Sequence, residues 1–192
     1  YGEPKYAGKI LEHLIDLKPD GSFRLNLEYF EYCTGLKMTN GRFDSLFGGP
    51  ARKPSEPVEQ RHMDVAASIQ AVLEVVVLRM ARSLQAETGA RNLCLAGGCA
   101  LNCVANGKLL RDGRFERIWI QPASGDAGGA LGAALAAYHL YRKQPRRFAP
   151  GCDLMRGAYL GPAFPQGEIE ERLRRAGARF SVLDEQRLIE AC

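Results

Sequence analysis

The sequence predicts an α/β fold built from strand–turn–helix units. Two such units follow one another: one apolar run stops at Gly97 and Gly98, and a second, residues 117–121, stops before Gly125. An Ala-rich helical stretch follows each turn, and the short connections favour parallel strands with right-handed crossovers. The chain has 192 residues, of which 46% are hydrophobic, so it can bury a core and is not a disordered tail.

The first third of the chain is predicted to hold one helix, one strand and a long loop. Apolar residues recur at helical spacing over residues 6–17, and residues 23–29 alternate between apolar and polar as a strand does. Residues 39–57 are rich in Gly and Pro, which predicts a surface loop with little more than a turn at residues 43–47.

The middle of the chain carries the strongest periodicity. A broad apolar stripe over residues 58–88 predicts a long core helix that stops at Gly89. Two strands, residues 93–96 and 117–121, and two helices, residues 100–110 and 126–143, then form the tandem units.

A change of pattern near residue 150 divides the chain into two predicted domains, 1–150 and 151–192. Pro145 and Pro150 mark a linker; beyond it we expect a helix over residues 167–176, a strand over 179–183 and a helix over 185–192. The chain starts on Tyr1 in a polar turn and ends within a helical pattern. We therefore expect a fragment of a longer protein whose second domain is incomplete.

Charge and hydropathy exclude several classes of partner. The net charge is only +4 and the basic residues are mixed with acidic ones, so we expect no nucleic-acid partner. The longest segment of small apolar residues, at about 12 residues, is too short to span a bilayer, and no leader-like segment opens the chain. The sequence thus predicts a cytoplasmic protein without a membrane partner.

The turn at Gly97 and Gly98 is a candidate anion site. Glycines let a ligand approach the backbone, and the helix that follows directs unpaired N–H groups into the same space. A purely structural turn explains the glycines equally well. Asn102, in the first turn of the predicted helix, can either cap the backbone or bind a ligand.

The second turn places Gly125 and Asp126 before another helix. An N-cap role explains Asp126, but its carboxylate would also lie at the carboxyl edge of a parallel sheet, where ligands of open α/β folds bind. A hard or borderline metal suits such a ligand. Gly128, Gly129 and Gly132 do not have dinucleotide-fingerprint spacing; they are predicted to thin one helix face for close packing.

Residues 92–106, Asn-Leu-Cys-Leu-Ala-Gly-Gly-Cys-Ala-Leu-Asn-Cys-Val-Ala-Asn, and residues 121–132, Gln-Pro-Ala-Ser-Gly-Asp-Ala-Gly-Gly-Ala-Leu-Gly, resemble the O-carbamoyltransferases of antibiotic and nodulation-factor biosynthesis. Supporting matches are Tyr1-Gly2, residues 19–23 and residues 60–70. The resemblance covers essentially the whole chain. It implies the C-terminal part of an actin-like ATPase (ribonuclease H-like) domain, related to the enzyme of tRNA threonylcarbamoyl-adenosine synthesis, over residues 1–150. Residues 151–192 would begin the C-terminal α+β carbamoyltransferase domain.

The resemblance also implies an activity and a set of ligands. The family makes carbamoyl adenylate from carbamoyl phosphate and ATP and passes the carbamoyl group to a hydroxyl of a small-molecule or sugar acceptor, which the sequence does not identify. Gly97, Gly98 and Gly125 are then expected to contact the nucleotide, with Asn102 nearby. Asp126 is expected to bind a divalent metal, iron in this family. No residue is assigned a catalytic role.

The chain departs from the family at the metal site, because it does not contain the family's paired histidines. The paired histidines that complete the metal site belong to a preceding region, and His13 and His62 do not reproduce their H-x-x-x-H spacing. We therefore expect the isolated chain to be inactive. Two alternatives remain: an actin-like sugar kinase and a non-catalytic, nucleotide-gated interaction module.

Overall fold

The computed structural model describes residues 1–147, 151 and 155–192, and it divides into two compact units, Tyr1–Arg146 and Arg147–Cys192. The first unit contains helices and two small sheets, one antiparallel and one parallel, which confirms the mixed α/β class. The domain boundary predicted at residue 150 lies outside the described residues.

The chain begins with a short helix that leads into a hairpin. Helix α1 (Ala7–Lys9) continues as a π-helical turn (Ile10–Leu14), and strand β1 (Ile15–Leu17) then pairs antiparallel with β2 (Phe23–Leu25). The helix predicted over residues 6–17 therefore ends early, and the following strand is also shorter than predicted. A turn brings the two short strands side by side, and cross-strand pairing satisfies backbone groups that a longer helix would otherwise satisfy.

The surface loop predicted over residues 39–57 contains a helix, so the prediction is wrong for residues 41–47, whereas residues 48–57 form neither helix nor strand. Helix α2 (Gly41–Phe47) starts where the side chain of Asn40 accepts a hydrogen bond from the Arg42 N–H at 3.0 Å, and it ends at Gly48 with positive φ. Phe47 is only 3% exposed and anchors α2 in the core. The buried residues of this first core cluster are Ile10, Leu14, Ile15, Phe47, Val72 and Val76.

Helix α3 (Gln60–Thr88) crosses both core clusters of the first unit. It begins two residues later than predicted and ends, as predicted, at Gly89 with positive φ. Its buried face is not purely apolar, because Asp64, Ser68 and Glu74 are also buried. The apolar stripe of the sequence did not predict these buried polar residues.

Asp64 of α3 binds the N-terminal segment through Glu3 and Lys5. Its carboxylate, 1% exposed, accepts hydrogen bonds from the Glu3 N–H at 2.9 Å and from the Gln60 amide at 2.8 Å, and it pairs with the Lys5 ammonium. These donors stabilise the charged form, and the backbone N–H of Glu3 contributes most. They lower the pKa of Asp64 from 3.8 to about 2.

We expect the stability contributed by Asp64 to depend on pH. Because its pKa is lower in the folded state, the contribution is complete above pH 3.8 and is lost as the pH falls through about 2. Urea unfolding of the wild type and Asp64→Asn should show a large stability difference at pH 6 that shrinks toward pH 2. A difference that is independent of pH would contradict the assignment.

The tandem units form the second part of the first unit. Strands β3 (Asn92–Leu95) and β4 (Arg117–Ile120) pair parallel, with Leu93 opposite Ile118, which confirms the predicted strands and their direction. Helix α4 (Cys103–Asp112) connects them. The second core cluster of the first unit lies here, and its buried residues are Ala81, Leu93, Leu109 and Phe115.

The second strand leads into α5 (Asp126–Ala136), which continues as a π-helical turn (Ala137–Tyr141). The helix was predicted over residues 126–143, so its start is correct and its α-helical part is shorter. No residue of α5 is buried in the structure as described.

In its described residues, the second unit contains two α-helices, α6 (Gln166–Arg175) and α7 (Glu185–Ala191). Both were predicted. The strand predicted over residues 179–183 is wrong, because this segment has no regular structure and pairs with no strand among the described residues. A short β-prone segment needs a partner strand to become a strand.

None of the helices in the described part of the chain is both long and apolar enough to cross a bilayer. Only α3, with 29 residues, has the length, and charged residues occur along all of it.

Candidate functional site

The two glycine-containing turns meet at one edge of the parallel sheet. The Gly97 N–H donates a hydrogen bond to the Ser124 carbonyl at 3.0 Å, and the Gln121 N–H donates to the Leu95 carbonyl at 3.0 Å. Since β3 and β4 are parallel, both turns follow the carboxyl ends of their strands. The structure thus brings the predicted residues of the first turn next to those of the second.

The two glycines of the first turn have different backbone conformations. Gly97 has φ +96° and ψ 158°, a region that is essentially restricted to glycine. Gly98 does not have positive φ, and a Cβ added there would meet no atom within 4 Å. The position of the turn that requires glycine is therefore Gly97, while Gly98 only leaves space beside the backbone.

The N–H groups that this turn can offer a ligand are those of Gly98 and Cys99. They open a 3₁₀ helix (Gly98–Leu101), whose first N–H groups have no intrahelical partner. The N–H of Gly97 is already bonded to Ser124, and the N–H of Ala100 donates to the Gly97 carbonyl at 2.9 Å. The turn therefore has two adjacent donors, on exposed residues, for an anion.

Asn102 separates this 3₁₀ helix from α4, so the helix predicted over residues 100–110 is broken. Its Oδ1 accepts a hydrogen bond from the Ala105 N–H at 3.0 Å, which makes Asn102 the N-cap of α4. The predicted capping role is confirmed. Such a cap stabilises a helix by about 1 kcal/mol and leaves part of the side chain available for other contacts.

A polar network beneath the turn was not predicted from the sequence. The side-chain amides of Gln70 and Asn102 exchange hydrogen bonds at 2.7 and 3.1 Å, and Gln70 also donates to the carboxylate of Glu74 at 2.9 Å. Glu74 is 7% exposed and pairs with the Lys108 ammonium. Gln70 and Glu74 interrupt an apolar stripe at i, i+4 spacing, and this pattern was the available sequence signal.

The charge of Glu74 is held by its partners. Burial alone would raise the pKa of Glu74, but hydrogen bonds from Lys108 and Gln70 and the Lys108 charge outweigh burial and lower its pKa. The carboxylate is therefore ionised at neutral pH. An ionised Glu74 accepts hydrogen bonds only, and this determines which end of the Gln70 amide faces it.

In the second turn, Gly125 is the N-cap residue of α5 and Asp126 is its first helical residue. The N-cap interpretation of Asp126 is wrong, because no side chain caps this helix. The Asp126 side chain is exposed and makes no hydrogen bond or ion pair within the described residues. Its carboxylate is therefore available for a ligand.

Two residues near Asp126, Ser124 and Gly128, are closely surrounded by other atoms. Ser124 is 6% exposed, and its hydroxyl has no hydrogen-bond partner among residues 1–147, 151 and 155–192. A Cβ added to Gly128 would lie 1.9 Å from the Ala123 carbonyl oxygen, so only glycine fits there. The predicted packing of another helix or the sheet against this face is wrong for the described residues, because the close atom at Gly128 belongs to the turn before the helix and Gly129 and Gly132 have open space.

Asp126 is the residue at this edge that the family resemblance implies as a metal ligand. The described residues contain no group of three or more His, Cys, Asp or Glu side chains that could hold a metal ion. His62 instead accepts a hydrogen bond from the Glu59 N–H at 3.0 Å at the start of α3. An unpaired carboxylate fits a divalent ion as one ligand, so other ligands must complete any metal site.

A cavity of about 490 Å³ lies between α3, β3 and the first turn. Its volume falls within the range of small-molecule sites. Its walls are mainly apolar, and they include Val77, Met80, Leu84, Leu93, Cys99 and Asn106.

Residues 1–135 match the family described as carbamoyltransferase N-terminus. The chain belongs to this family. Both resemblance blocks, residues 92–106 and 121–132, lie within the matched part, so the resemblance to carbamoyltransferases is confirmed.

The chain is similar to several individual proteins. The uncharacterised protein sll1178 of Synechocystis is 60% identical to it over 174 residues. The nodulation protein NolO of Bradyrhizobium diazoefficiens is 37% identical over 169 residues. The nodulation protein NolNO of Sinorhizobium fredii is 36% identical over 184 residues. The matches cover 91%, 84% and 95% of this chain but only 28%, 27% and 25% of those proteins. The chain thus spans about a quarter of their length.

Proposed function

We propose that the chain forms the nucleotide-binding part of an O-carbamoyltransferase. The whole enzyme would transfer a carbamoyl group from carbamoyl phosphate, through an ATP-dependent carbamoyl adenylate, to a hydroxyl of a small-molecule or sugar acceptor. The family membership of residues 1–135 supports the reaction class.

One observation carries the proposal: the hydrogen bond between the Gly97 N–H and the Ser124 carbonyl. It holds the two turns together at the carboxyl ends of parallel strands, the usual ligand edge of open α/β sheets. An anion at this edge would be near the free N–H groups of the 3₁₀ helix and near the start of α5. Neither turn alone would provide both.

Each residue of this site has a distinct part in the proposal. The N–H groups of Gly98 and Cys99 would bind phosphate oxygens, because they are adjacent and lack intrahelical partners. The positive end of the α5 dipole at Gly125 would stabilise negative charge on the nucleotide. Asn102 would contribute its amide, since its backbone position is fixed by the cap of α4.

Asp126 would bind the metal as one of several ligands. A divalent ion, iron by family resemblance, would act as a Lewis acid toward a phosphoryl or carbamoyl oxygen when bound. The exposed and unpaired carboxylate at the start of α5 is the feature that fits this role.

We propose that residues 1–150 form the C-terminal part of an actin-like ATPase domain. Two parallel strands, each followed by a helix, are what half of an actin-like ATPase domain would contribute, and residues 151–192 would begin the C-terminal domain. We also propose the cytoplasmic location that the sequence predicts.

A product analysis of the full-length protein tests the reaction. With ATP, carbamoyl phosphate and a panel of alcohols and sugars, we expect a carbamate ester together with AMP and pyrophosphate from ATP and inorganic phosphate from carbamoyl phosphate. A sugar kinase would instead form ADP and a phosphate ester. A nucleotide-gated interaction module would bind ATP without forming either product, and each of those results would overturn the proposal.

The 192-residue chain by itself should not transfer a carbamoyl group. Its described residues contain no group of three or more His, Cys, Asp or Glu side chains that could hold a metal ion, and the chain spans about a quarter of the length of its relatives. The same product analysis, run on the chain alone and on the full-length protein in parallel, checks this expectation. Turnover of carbamoyl phosphate by the chain alone would contradict it.

A further inference from the structure

Hydrogen bonds to Asn102 and Glu74 fix the orientation of the Gln70 side-chain amide. Its Nε2 carries two hydrogens, and these are donated to Asn102 Oδ1 at 3.1 Å and to Glu74 Oε1 at 2.9 Å. Its Oε1 accepts from Asn102 Nδ2 at 2.7 Å. Because ionised Glu74 can only accept, the nitrogen of the Gln70 amide must face it, and the Gln70 amide cannot flip without losing these contacts.

The fixed Gln70 amide determines what Asn102 can offer a ligand. Asn102 Oδ1 accepts from both the Ala105 N–H and Gln70, so its two acceptor positions are occupied. Asn102 Nδ2 donates one hydrogen to Gln70 and keeps one. Asn102 therefore has one N–H donor left and no acceptor, and it can bind an oxygen that accepts but not a group that donates.

We propose that Gln70 is a positioning residue for nucleotide binding. Together with Glu74 and Lys108, it holds the Asn102 amide so that the remaining N–H donates to an acceptor oxygen of the nucleotide. Gln70 acts through Asn102 and does not itself contact the nucleotide. This inference rests on the proposed nucleotide site and adds the side chains of α3 that set its hydrogen-bonding character.

Helix α3 contains a matched control for this role. Ten residues before Gln70, Gln60 donates through its Nε2 to the buried carboxylate of Asp64 at 2.8 Å, again at i, i+4 spacing. Gln60→Met and Gln70→Met each remove an amide that is bonded to a buried carboxylate on the same helix. Only Gln70 is bonded to Asn102, so the pair separates loss of stability from loss of positioning.

The test compares both variants in the full-length protein by calorimetric ATP titration, thermal unfolding and steady-state kinetics. We expect similar decreases in unfolding temperature for the two, but an ATP dissociation constant raised about tenfold only in Gln70→Met. The KM for ATP should rise with little change in kcat. Asn102→Asp, which retains an N-cap but lacks the N–H donor, should weaken ATP binding at least as much.

The outcomes separate this inference from the proposed function. ATP affinity in Gln70→Met equal to that in Gln60→Met overturns the positioning role. If a Gly98→Val variant, altered in the turn itself, nevertheless binds ATP at least tenfold more weakly than the wild type, the nucleotide site itself stands. A wild-type protein that does not bind ATP overturns both.

Discussion

Replacing Asp126 by asparagine is expected to remove the bound metal and abolish carbamoyl transfer in the full-length protein while its fold stays intact. The change removes a charged oxygen ligand, and the loss should exceed the roughly 10- to 100-fold decrease that follows loss of an outer-shell partner. Asp126 makes no side-chain cap, so stability should fall only by the lost helix-dipole interaction, about 0.3–1 kcal/mol. Elemental analysis, a transfer assay and circular dichroism measure the three quantities.

Asp44→Asn is the matched control. Asp44 also lies in the first turn of a helix, α2, and this variant loses the same kind of dipole interaction without touching the proposed metal site. Metal content and transfer should remain at wild-type levels in Asp44→Asn. Unchanged metal content and activity in Asp126→Asn would defeat the metal assignment.

Gly98→Val should weaken ATP binding at least tenfold, about 1.4 kcal/mol, with secondary structure retained. A branched side chain would enter the space through which a phosphate reaches the N–H groups of Gly98 and Cys99. The fold should tolerate it, because Gly98 does not have positive φ and its Cβ would meet no atom within 4 Å. Calorimetric titration of ATP, with circular dichroism to monitor folding, tests this prediction.

Two other glycine variants are compared with Gly98→Val. Gly41 is also the first residue of a helix with open space around it, so Gly41→Val should leave ATP affinity unchanged. Gly97→Ala forces a side chain into a region that costs about 1–3 kcal/mol and should lower the unfolding temperature. A folded Gly98→Val protein with normal ATP affinity would mean that the turn is structural only.

The elements that were predicted correctly depend on local signals. Helix α3, strands β3 and β4 and the start of α5 follow from hydrophobic periodicity and from glycines at the ends of elements. The parallel pairing follows from short connections with an intervening helix, which leave few topologies. These signals depend on residues that are close in the sequence, so the elements that they predict are also present in the folded chain.

The elements that were missed depend on distant partners. Residues 15–17 have a helical pattern but form β1 because β2 lies beside them. Helix α2, within a Gly- and Pro-rich stretch, is stabilised by burial of Phe47 against other aromatic rings. Residues 179–183 have β propensity but no partner strand among the described residues.

The sequence by itself determined the α/β class, the two strand–turn–helix units, the family and the positions of the candidate residues in both turns. The tertiary structure decided that Asn102 caps α4, that Asp126 follows the N-cap, and that Gln70, Glu74 and Lys108 lie beneath the turn. The reason is physical. Periodicity and glycine conformation are properties of neighbouring residues, whereas a hydrogen-bond network such as Gln70 with Asn102, 32 residues apart, exists only once two helices have packed.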